Sequence, residues 1–350
     1  MKILIDGRSI MPYTCGIGRY TEELIKGYIK HWGHENVSVL LNPIICEKKD
    51  YNIIYTKYHR HQFLDNLWFS FFLLKLDYDI YHSGDLTGPF FKRKNKFHIL
   101  TVHDLMFLTV STFFGKKSFR IWLRKKKNYI MTKLLLKTPN LIISVSKTTS
   151  TDCKRYFGVS SIILREGINV LKVQNEPIVI KNLYPNTYFL YVGIGLPHKN
   201  IQFLINAFLK SNTDKKLVIC GKNHPLQENK YNNVIFLGWV SDTQLDYLYR
   251  NCTAFVFPSL YEGFGLPILE ALSYGKKVLS SNAGSLGEFP SDIIYFFDPT
   301  NENSLIFLLE NIDKMETDKI RIENFMKYYA WDDIWDEFNM ILKQNLKIDL

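Results

Sequence analysis

Short β-branched runs alternate along the chain with stretches of helical periodicity. Lys2–Ile5, Val37–Leu41, Asp79–His82, His98–Val102 and Leu141–Val145 read as strands, and Thr21–Trp32 and Phe119–Lys137 as helices between them. The pattern restarts at Tyr188–Val192 and continues through Leu217–Cys220, Val234–Leu237, Ala254–Phe257, Lys277–Ser280 and Ile293–Phe296. Strands that are apolar almost throughout, separated by helices, predict parallel sheets buried on both faces. Two such series predict two doubly wound, Rossmann-like α/β domains. The polar stretch Val170–Asn186, with Pro177 and Pro185, reads as the linker, so the domains are expected at 1–174 and 175–325. Ligands of such sheets bind beyond the carboxyl ends of the strands, and the cleft between two facing sheets is the expected site.

Composition narrows the class. A length of 350 residues suits about two domains, and 46% hydrophobic with 22% charged residues excludes a disordered chain. Mean hydropathy is -0.10. The longest apolar run, Leu67–Leu76, is broken by Ser70 and Lys75 and is half of the roughly 20 residues that a bilayer span needs. The start, Met1–Asp6, turns polar too soon for a secretory signal. Cys15, Cys46, Cys153, Cys220 and Cys252 are scattered and lack a CxxC, which argues against a disulfide framework or zinc site and for a reducing cytoplasm. Charge is uneven. Residues 1–174 hold 28 basic and 13 acidic side chains, a net +15, whereas 175–350 hold 16 and 21, a net −5. A basic first half suits a polyanionic surface or a phosphorylated ligand, or simply solubility.

The segment FPSLYEGFGLPILEAL, Phe257–Leu272, reads as strand, glycine loop and helix start. Backbone amides and the positive end of the dipole at such a start can receive a phosphate. Glu262, before the loop, and Glu270, expected in the first helical turn, can accept hydrogen bonds from sugar or ribose hydroxyls, or can merely cap and solvate the helix. In YVGIGLPHKN, Tyr191–Asn200, Lys199 follows a strand and a glycine turn, with Asn200 as a helix N-cap. A cation there can neutralise a diphosphate leaving group, or be an ordinary surface lysine. His103 ends the strand of ILTVHD, and Gly16–Tyr20, GIGRY, reads as a loop after the first strand. The ten-residue gap from Asp6 to Gly16 and the missing third glycine exclude a dinucleotide fingerprint. Asp77 and Asp79 form a DxD at the start of a strand, the wrong end of the sheet for ligand binding, so no metal is expected.

The Glu262-x7-Glu270 string closely resembles the glutamate-pair motif of retaining GT-B glycosyltransferases of family GT4, and the likeness runs from Lys2 to the final helix. The resemblance implies a GT-B fold, with residues 326–350, containing YAWDDIW, as a last helix crossing back to the first domain. It implies that Glu270 binds the nucleotide ribose and Glu262 the donor sugar, while Gly263, Phe264, Gly265 and Leu266 meet the diphosphate and sugar. Lys199 matches the family's lysine on the diphosphate; His198 stands where an arginine is usual, and so does Ile194. A protonated His198 would make activity pH-sensitive. His103 is implied near the reacting carbon with Asp104 as its support, Gly16 and Gly18 on the donor side, and Arg19 and Tyr20 on the acceptor side. Glu166, in REGINV, departs from the usual asparagine.

The activity so implied is a retaining, metal-independent and cofactor-free transfer of a hexose from a sugar nucleotide, with His103, Lys199 and Glu262 as the catalytic set. The acceptor is a glycan or lipid-linked oligosaccharide of cell-surface polysaccharide, as in O-antigen or lipopolysaccharide synthesis. GDP-mannose is the favoured donor, with a UDP-hexose or dTDP-rhamnose open. A nucleotide-sugar 2-epimerase of the same fold and a catalytically weakened membrane- or glycan-binding scaffold are the alternatives. The basic aromatic segment Phe113–Lys137 suits an anionic membrane, placing the protein peripherally on the inner face of the plasma membrane, or is a helix with a buried stripe and a solvated face. Nucleic acid is not expected as a partner, because no recognition module is present.

Overall fold

The computed structural model describes the chain apart from residues 12–15, 44–49, 111–112, 114–117, 170–182, 223, 225–230 and 347–350. It forms two units, one of Met1–Leu108, Lys117–Gly167 and Trp331–Leu350, the other of Thr109–Lys116 and Ile168–Ala330. The domain boundary expected after residue 174 lies outside the described residues.

The first unit runs β1 (Ile3–Asp6), α1 (Gly16–Trp32), β2 (Val37–Leu41), β3 (Asn52–Tyr55), α2 (Phe63–Leu73), β4 (Ile80–Ser83), β5 (Phe97–Val102), α3 (Met106–Thr109), α4 (Phe119–Leu135), β6 (Leu141–Ser144), α5 (Lys147–Phe157) and β7 (Ile162–Ile163). All its strands are parallel, in the order β3-β2-β1-β4-β5-β6-β7. The order reverses beside β1. Every side chain of β1, β4 and β6 is buried, as a sheet covered on both faces requires. Tyr20, Leu24, Ile25 and Tyr28 form the buried stripe of α1. The structure differs from the sequence pattern at two places. GIGRY is not a loop but the opening of α1, which starts at Gly16. The apolar side chains of α4 are not a buried stripe: Phe119, Trp122, Leu123 and Ile130 are exposed, and Met131, Thr132 and Leu135 face inward. The DxD pins strand starts. Asp77 pairs with the Lys2 ammonium, and Asp79 accepts from the Lys2 amide at 2.8 Å and the Lys96 ammonium at 3.4 Å.

The second unit runs β8 (Tyr188–Val192), α6 (Ile201–Lys210), β9 (Lys216–Cys220), β10 (Val234–Gly238), α7 (Asp242–Asn251), β11 (Ala254–Phe257), α8 (Leu266–Ser273), β12 (Lys277–Ser281), β13 (Tyr295–Phe297), α9 (Glu302–Asn311) and α10 (Lys319–Lys327). Its six parallel strands lie in the order β10-β9-β8-β11-β12-β13, with the reversal between β8 and β11. Local chemistry sets the helix ends. Ser241 and Gln244 form a reciprocal capping box on α7, and Gly275, at φ +65°, lets the chain leave α8.

The last helix, α11 (Trp331–Leu346), belongs to the first unit and buries Ile334, Trp335, Phe338 and Leu342. Trp335 lies against Gly27 of α1, where an added Cβ would come within 1.6 Å of the indole. Its ring packs on Tyr28 at 5.1 Å and Phe338 at 5.2 Å, and its N–H donates to the Glu23 carbonyl at 3.3 Å. Trp335→Ala is expected to destabilise the first unit by about 3–5 kcal/mol. Urea unfolding followed by circular dichroism would read this, and an unchanged midpoint would show that α11 adds little to that core.

Candidate functional site

In a doubly wound sheet the crevice for a ligand opens where the strand order reverses, past the carboxyl ends of the two strands involved. In the second unit these are β8 and β11. The turn after β8 carries Lys199 and the turn after β11 carries Glu262. The Lys199 ammonium donates to Glu262 Oε1 at 2.6 Å, with side chains 13% and 12% exposed. The ammonium also lies 5.2 Å from the centre of the Phe257 ring. Backbone contacts hold the turns in register: the Leu260 amide donates to the His198 carbonyl at 2.7 Å. Asn200 stands at the start of α6 in a left-handed conformation, φ +55°. Its side chain does not cap the helix as expected, but donates to the Pro299 carbonyl at 3.0 Å.

The glycine loop between Glu262 and α8 is built into one shape. Gly265 has φ +117°, and a Cβ there would lie 2.9 Å from the Leu286 side chain and 3.1 Å from that of Phe289. The Ser285 hydroxyl donates to the carbonyls of Glu262 at 2.8 Å and Phe264 at 3.1 Å. Phe264 packs on Phe289 and Tyr329. Leu266 opens α8, so the loop delivers the chain to a helix start, whose first amides lie outside the intrahelical ladder. Glu270 is in the second turn of α8, not the first. Its Oε2 accepts from the Tyr249 hydroxyl at 2.9 Å, and that ring stacks on Tyr274 at 5.5 Å. Burial, reinforced by the Glu270 charge, pushes the Tyr249 phenol well up, so it stays a donor.

His198 departs from the protonated state considered above. It is buried, and burial, with the neighbouring Lys199 charge, holds its pKa down at about 4. At neutral pH it adds no charge to the site. Ile194 is exposed. Two groups that the sequence did not suggest lie close by: the buried hydroxyls of Tyr191, in β8, and Ser259, past the end of β11, have no partner among the described residues. Such groups ordinarily meet an ordered water or a ligand.

The remaining candidates belong to the first unit. His103 follows β5, with Nδ1 2.7 Å from Glu166 Oε1 and Nε2 2.8 Å from the Gly84 carbonyl. Its carboxylate partner is therefore Glu166, 63 positions away, and not Asp104. Asp104 Oδ1 instead accepts from the Met106 amide at 2.9 Å, at the start of α3. Tyr20, expected on the acceptor side, is buried. Its hydroxyl is 3.1 Å from Thr101 Oγ1, and its ring meets His103 edge-on at 4.8 Å, so it packs beneath that histidine and presents no hydroxyl to a ligand. Gly16, Gly18 and Arg19 lie in the first turn of α1, with Gly18 buried.

This fold and this site define a class. Residues 178–330 match the glycosyl transferases group 1 family. The chain is 28% identical over 246 residues to the O-antigen chain mannosyltransferase RfbU of Salmonella typhimurium, a match covering 67% of this chain and 66% of that one. It is 36% identical over 131 residues to O-antigen chain mannosyltransferase B of Escherichia coli, 34% of each. These matches thus span just under two thirds of the first relative and about a third of the second. Among solved structures, sucrose-phosphate synthase of Thermosynechococcus elongatus superposes over the whole of both chains with a TM-score of 0.77 at 17% identity. WaaG, a glycosyltransferase involved in lipopolysaccharide biosynthesis, gives 0.72 at 15%, covering 95% of this chain and 98% of that one. The architecture is GT-B, and the second unit matches the glycosyl transferases group 1 family over residues 178–330.

The Gly265 geometry yields a direct test. Gly265→Ala meets a left-handed backbone and a crowded Cβ together, and is expected to cost about 1–3 kcal/mol. Differential scanning calorimetry would read the loss; a variant as stable as its parent would show that the loop adapts.

Proposed function

We propose that this protein is a retaining, metal-independent hexosyltransferase. It moves a hexose from a sugar nucleotide to a hydroxyl of a lipid-linked glycan in cell-surface polysaccharide synthesis. The observation that carries the reading is the Lys199–Glu262 ion pair at the strand-order reversal, beside the glycine loop that opens α8. A donor diphosphate competes with Glu262 for the ammonium. Once paired with Lys199 and the amides at the start of α8, the departing diphosphate is stabilised by fixed positive charge where a divalent ion would otherwise serve. Glu262, released, turns to the donor sugar, and Glu270, held by Tyr249, accepts from the ribose hydroxyls. No protein nucleophile enters this scheme. The acceptor attacks from the face the diphosphate leaves, and a phosphate oxygen takes the acceptor proton, so configuration is retained. His103, in the first unit, is the third residue assigned to the catalytic set.

The names of the two O-antigen mannosyltransferase relatives support mannose, and with it GDP-mannose, as the donor. The neutral His198 and the exposed Ile194 favour a second reading, a weakened glycan-binding scaffold, because they leave less fixed charge for a leaving group. Binding of GDP, UDP and TDP followed by calorimetry should show one preferred diphosphate. Nucleotide release with and without acceptor then separates transferase, epimerase and scaffold, and NMR of the product linkage tests retention. Glu270→Ala is expected to weaken nucleotide binding about tenfold or more. Glu262→Ala should bind the diphosphate as tightly or more tightly, because its competitor is gone, yet transfer about a hundredfold more slowly. Parental affinity and rate in both variants would sink the assignment.

The first unit supports a peripheral position on the cytoplasmic face of a membrane. No described helix is long and apolar enough to cross one. Trp68 of α2 and Trp122 of α4 are 57% and 53% exposed, beside Phe71 and Phe119 on the same two helices, which are joined by the Asn66–Met131 contact. Arg120 and Arg124–Lys127 lie along α4. Basic side chains near an anionic leaflet contribute about 1 kcal/mol each, and tryptophans suit its interface. Cosedimentation with anionic vesicles is expected, falling about tenfold or more for Trp68→Ser with Trp122→Ser. Equal binding to neutral vesicles, or self-association without lipid, would count against this contact.

A further inference from the structure

The geometry points to Glu166 as a positioning residue that fixes His103 as a doubly donating imidazolium, a brace across the loops at the carboxyl end of the first sheet. Both ring nitrogens face atoms that only accept. Nδ1 is 2.7 Å from a Glu166 carboxylate oxygen and Nε2 is 2.8 Å from the Gly84 carbonyl oxygen. A neutral imidazole carries one N–H. Either tautomer would set a ring lone pair against an oxygen lone pair in one of the two contacts. With Glu166 as a carboxylate, only the charged ring satisfies both. The ring is buried, and the Thr149 hydroxyl of α5 donates to the His103 carbonyl at 2.9 Å, which fixes the backbone that carries it.

The surroundings support the charge from each side. Glu166, past β7, faces Nδ1 directly. From the turn after β4, Asp85 adds a second carboxylate, itself held by Arg60 Nη1 at 2.6 Å and His61 Nε2 at 3.4 Å. From α1, Tyr20 packs on the ring in a T-shaped arrangement and adds no charge, because burial drives its phenol far up and it stays neutral. On the histidine's own loop, Asp104 serves the start of α3. Burial alone would drive the ring neutral, but Glu166, with Asp85 and the Gly84 carbonyl, outweighs it and raises the pKa to about 9.

The consequence for chemistry is specific. With both N–H groups engaged, His103 does not pass a proton. It acts by holding the Gly84 turn against the segment that carries Glu166 and by supplying a fixed positive charge. Its contribution to stability is complete below the unfolded value near 6.5 and is lost as pH rises through about 9.

Histidine-selective ¹⁵N NMR on the full chain tests this, with His103→Gln identifying the resonance. In the parent, His103 should keep both nitrogens protonated at pH 8. In Glu166→Gln its titration should move down by about two units or more. Glu166→Asp should restore most of the shift. The rate arm rests on the hexosyltransferase reading. The ratio of transfer rates at pH 8.5 and 6.5 should fall roughly tenfold or more in Glu166→Gln, with nucleotide affinity unchanged. A parental His103 titrating near 6.5, or one indifferent to Glu166→Gln, overturns the proposal. If Glu166→Gln does not fold, the parental and Glu166→Asp titrations decide it. The NMR arm needs no substrate, so failure of the transferase reading shows separately, as absence of turnover with the titration intact.

Discussion

An ammonium and a carboxylate held 2.6 Å apart at the mouth of a parallel sheet are the constraint around which the second unit is arranged. Parallel strands end together, so the turns after β8 and β11 project side by side only because the strand order reverses between them. Each turn is then shaped so that its one charged side chain reaches the other. Asn200 bends the chain in a left-handed step just after Lys199, and the Ser285 hydroxyl clasps the backbone on both sides of Gly263. Nearly buried, the pair avoids the cost of an isolated charge while no ligand is bound.

The first unit handles charge by the same logic more deeply in its interior. Asp6, the last residue of β1, and Arg8, both buried, pair at 2.6 Å, and the Tyr81 hydroxyl donates to Asp6 at 2.6 Å. The guanidinium lies 3.6 Å above the Phe69 ring, and Arg8 raises the Asp6 acidity although burial opposes it. His103 with Glu166 repeats the pattern past the end of β5. In both places a charge that would be costly alone is matched by a partner from a neighbouring loop, so the ion pair defines the loop path. A separate neutral chain stands beside them: Tyr28, His82, Thr101 and Tyr20 are linked hydroxyl to ring to hydroxyl, and burial drives His82 down to about 3. Tyr20 thus ends a polar network inside the protein and packs against the charged histidine with its ring.

The contrast between what could and could not be read from the chain follows from this physics. Val37–Leu41, Tyr188–Val192 and Ala254–Phe257 have the bounds their apolar runs suggest, because a strand buried on both faces leaves an uninterrupted signal. β3, an edge strand with no fully buried residue, and α2, apolar on most sides, carry no period to read. The donor-side candidates from Glu262 to Glu270 lie in one segment, so a local pattern exposes them. Tyr249 beneath Glu270 and Glu166 beside His103 do not, because each is brought to its partner by tertiary folding across 21 and 63 positions. The assignment of Asp104 as the support of His103 failed for that reason: the nearest carboxylate in sequence was already engaged by the backbone of α3.

In the proposed transferase, charge arithmetic at the second unit's pair would let a site with a neutral His198 still serve a diphosphate leaving group. Lys199 and Glu262 cancel while they are paired, so the resting crevice offers a diphosphate little net attraction beyond the start of α8, worth about half a positive charge. A diphosphate that replaces Glu262 at the ammonium gains the full cation and leaves the carboxylate unpaired. The unpaired carboxylate is then drawn to whatever positive charge develops nearby, and a sugar losing its leaving group is such a centre. The two events reinforce each other only if Glu262 has one route out of its contact with Lys199. Gly265 and Ser285 fix the backbone that carries Glu262. On the proposed reading, selectivity for reaction over idle binding rests less on the number of cations than on the carboxylate and the diphosphate being alternatives for one ammonium.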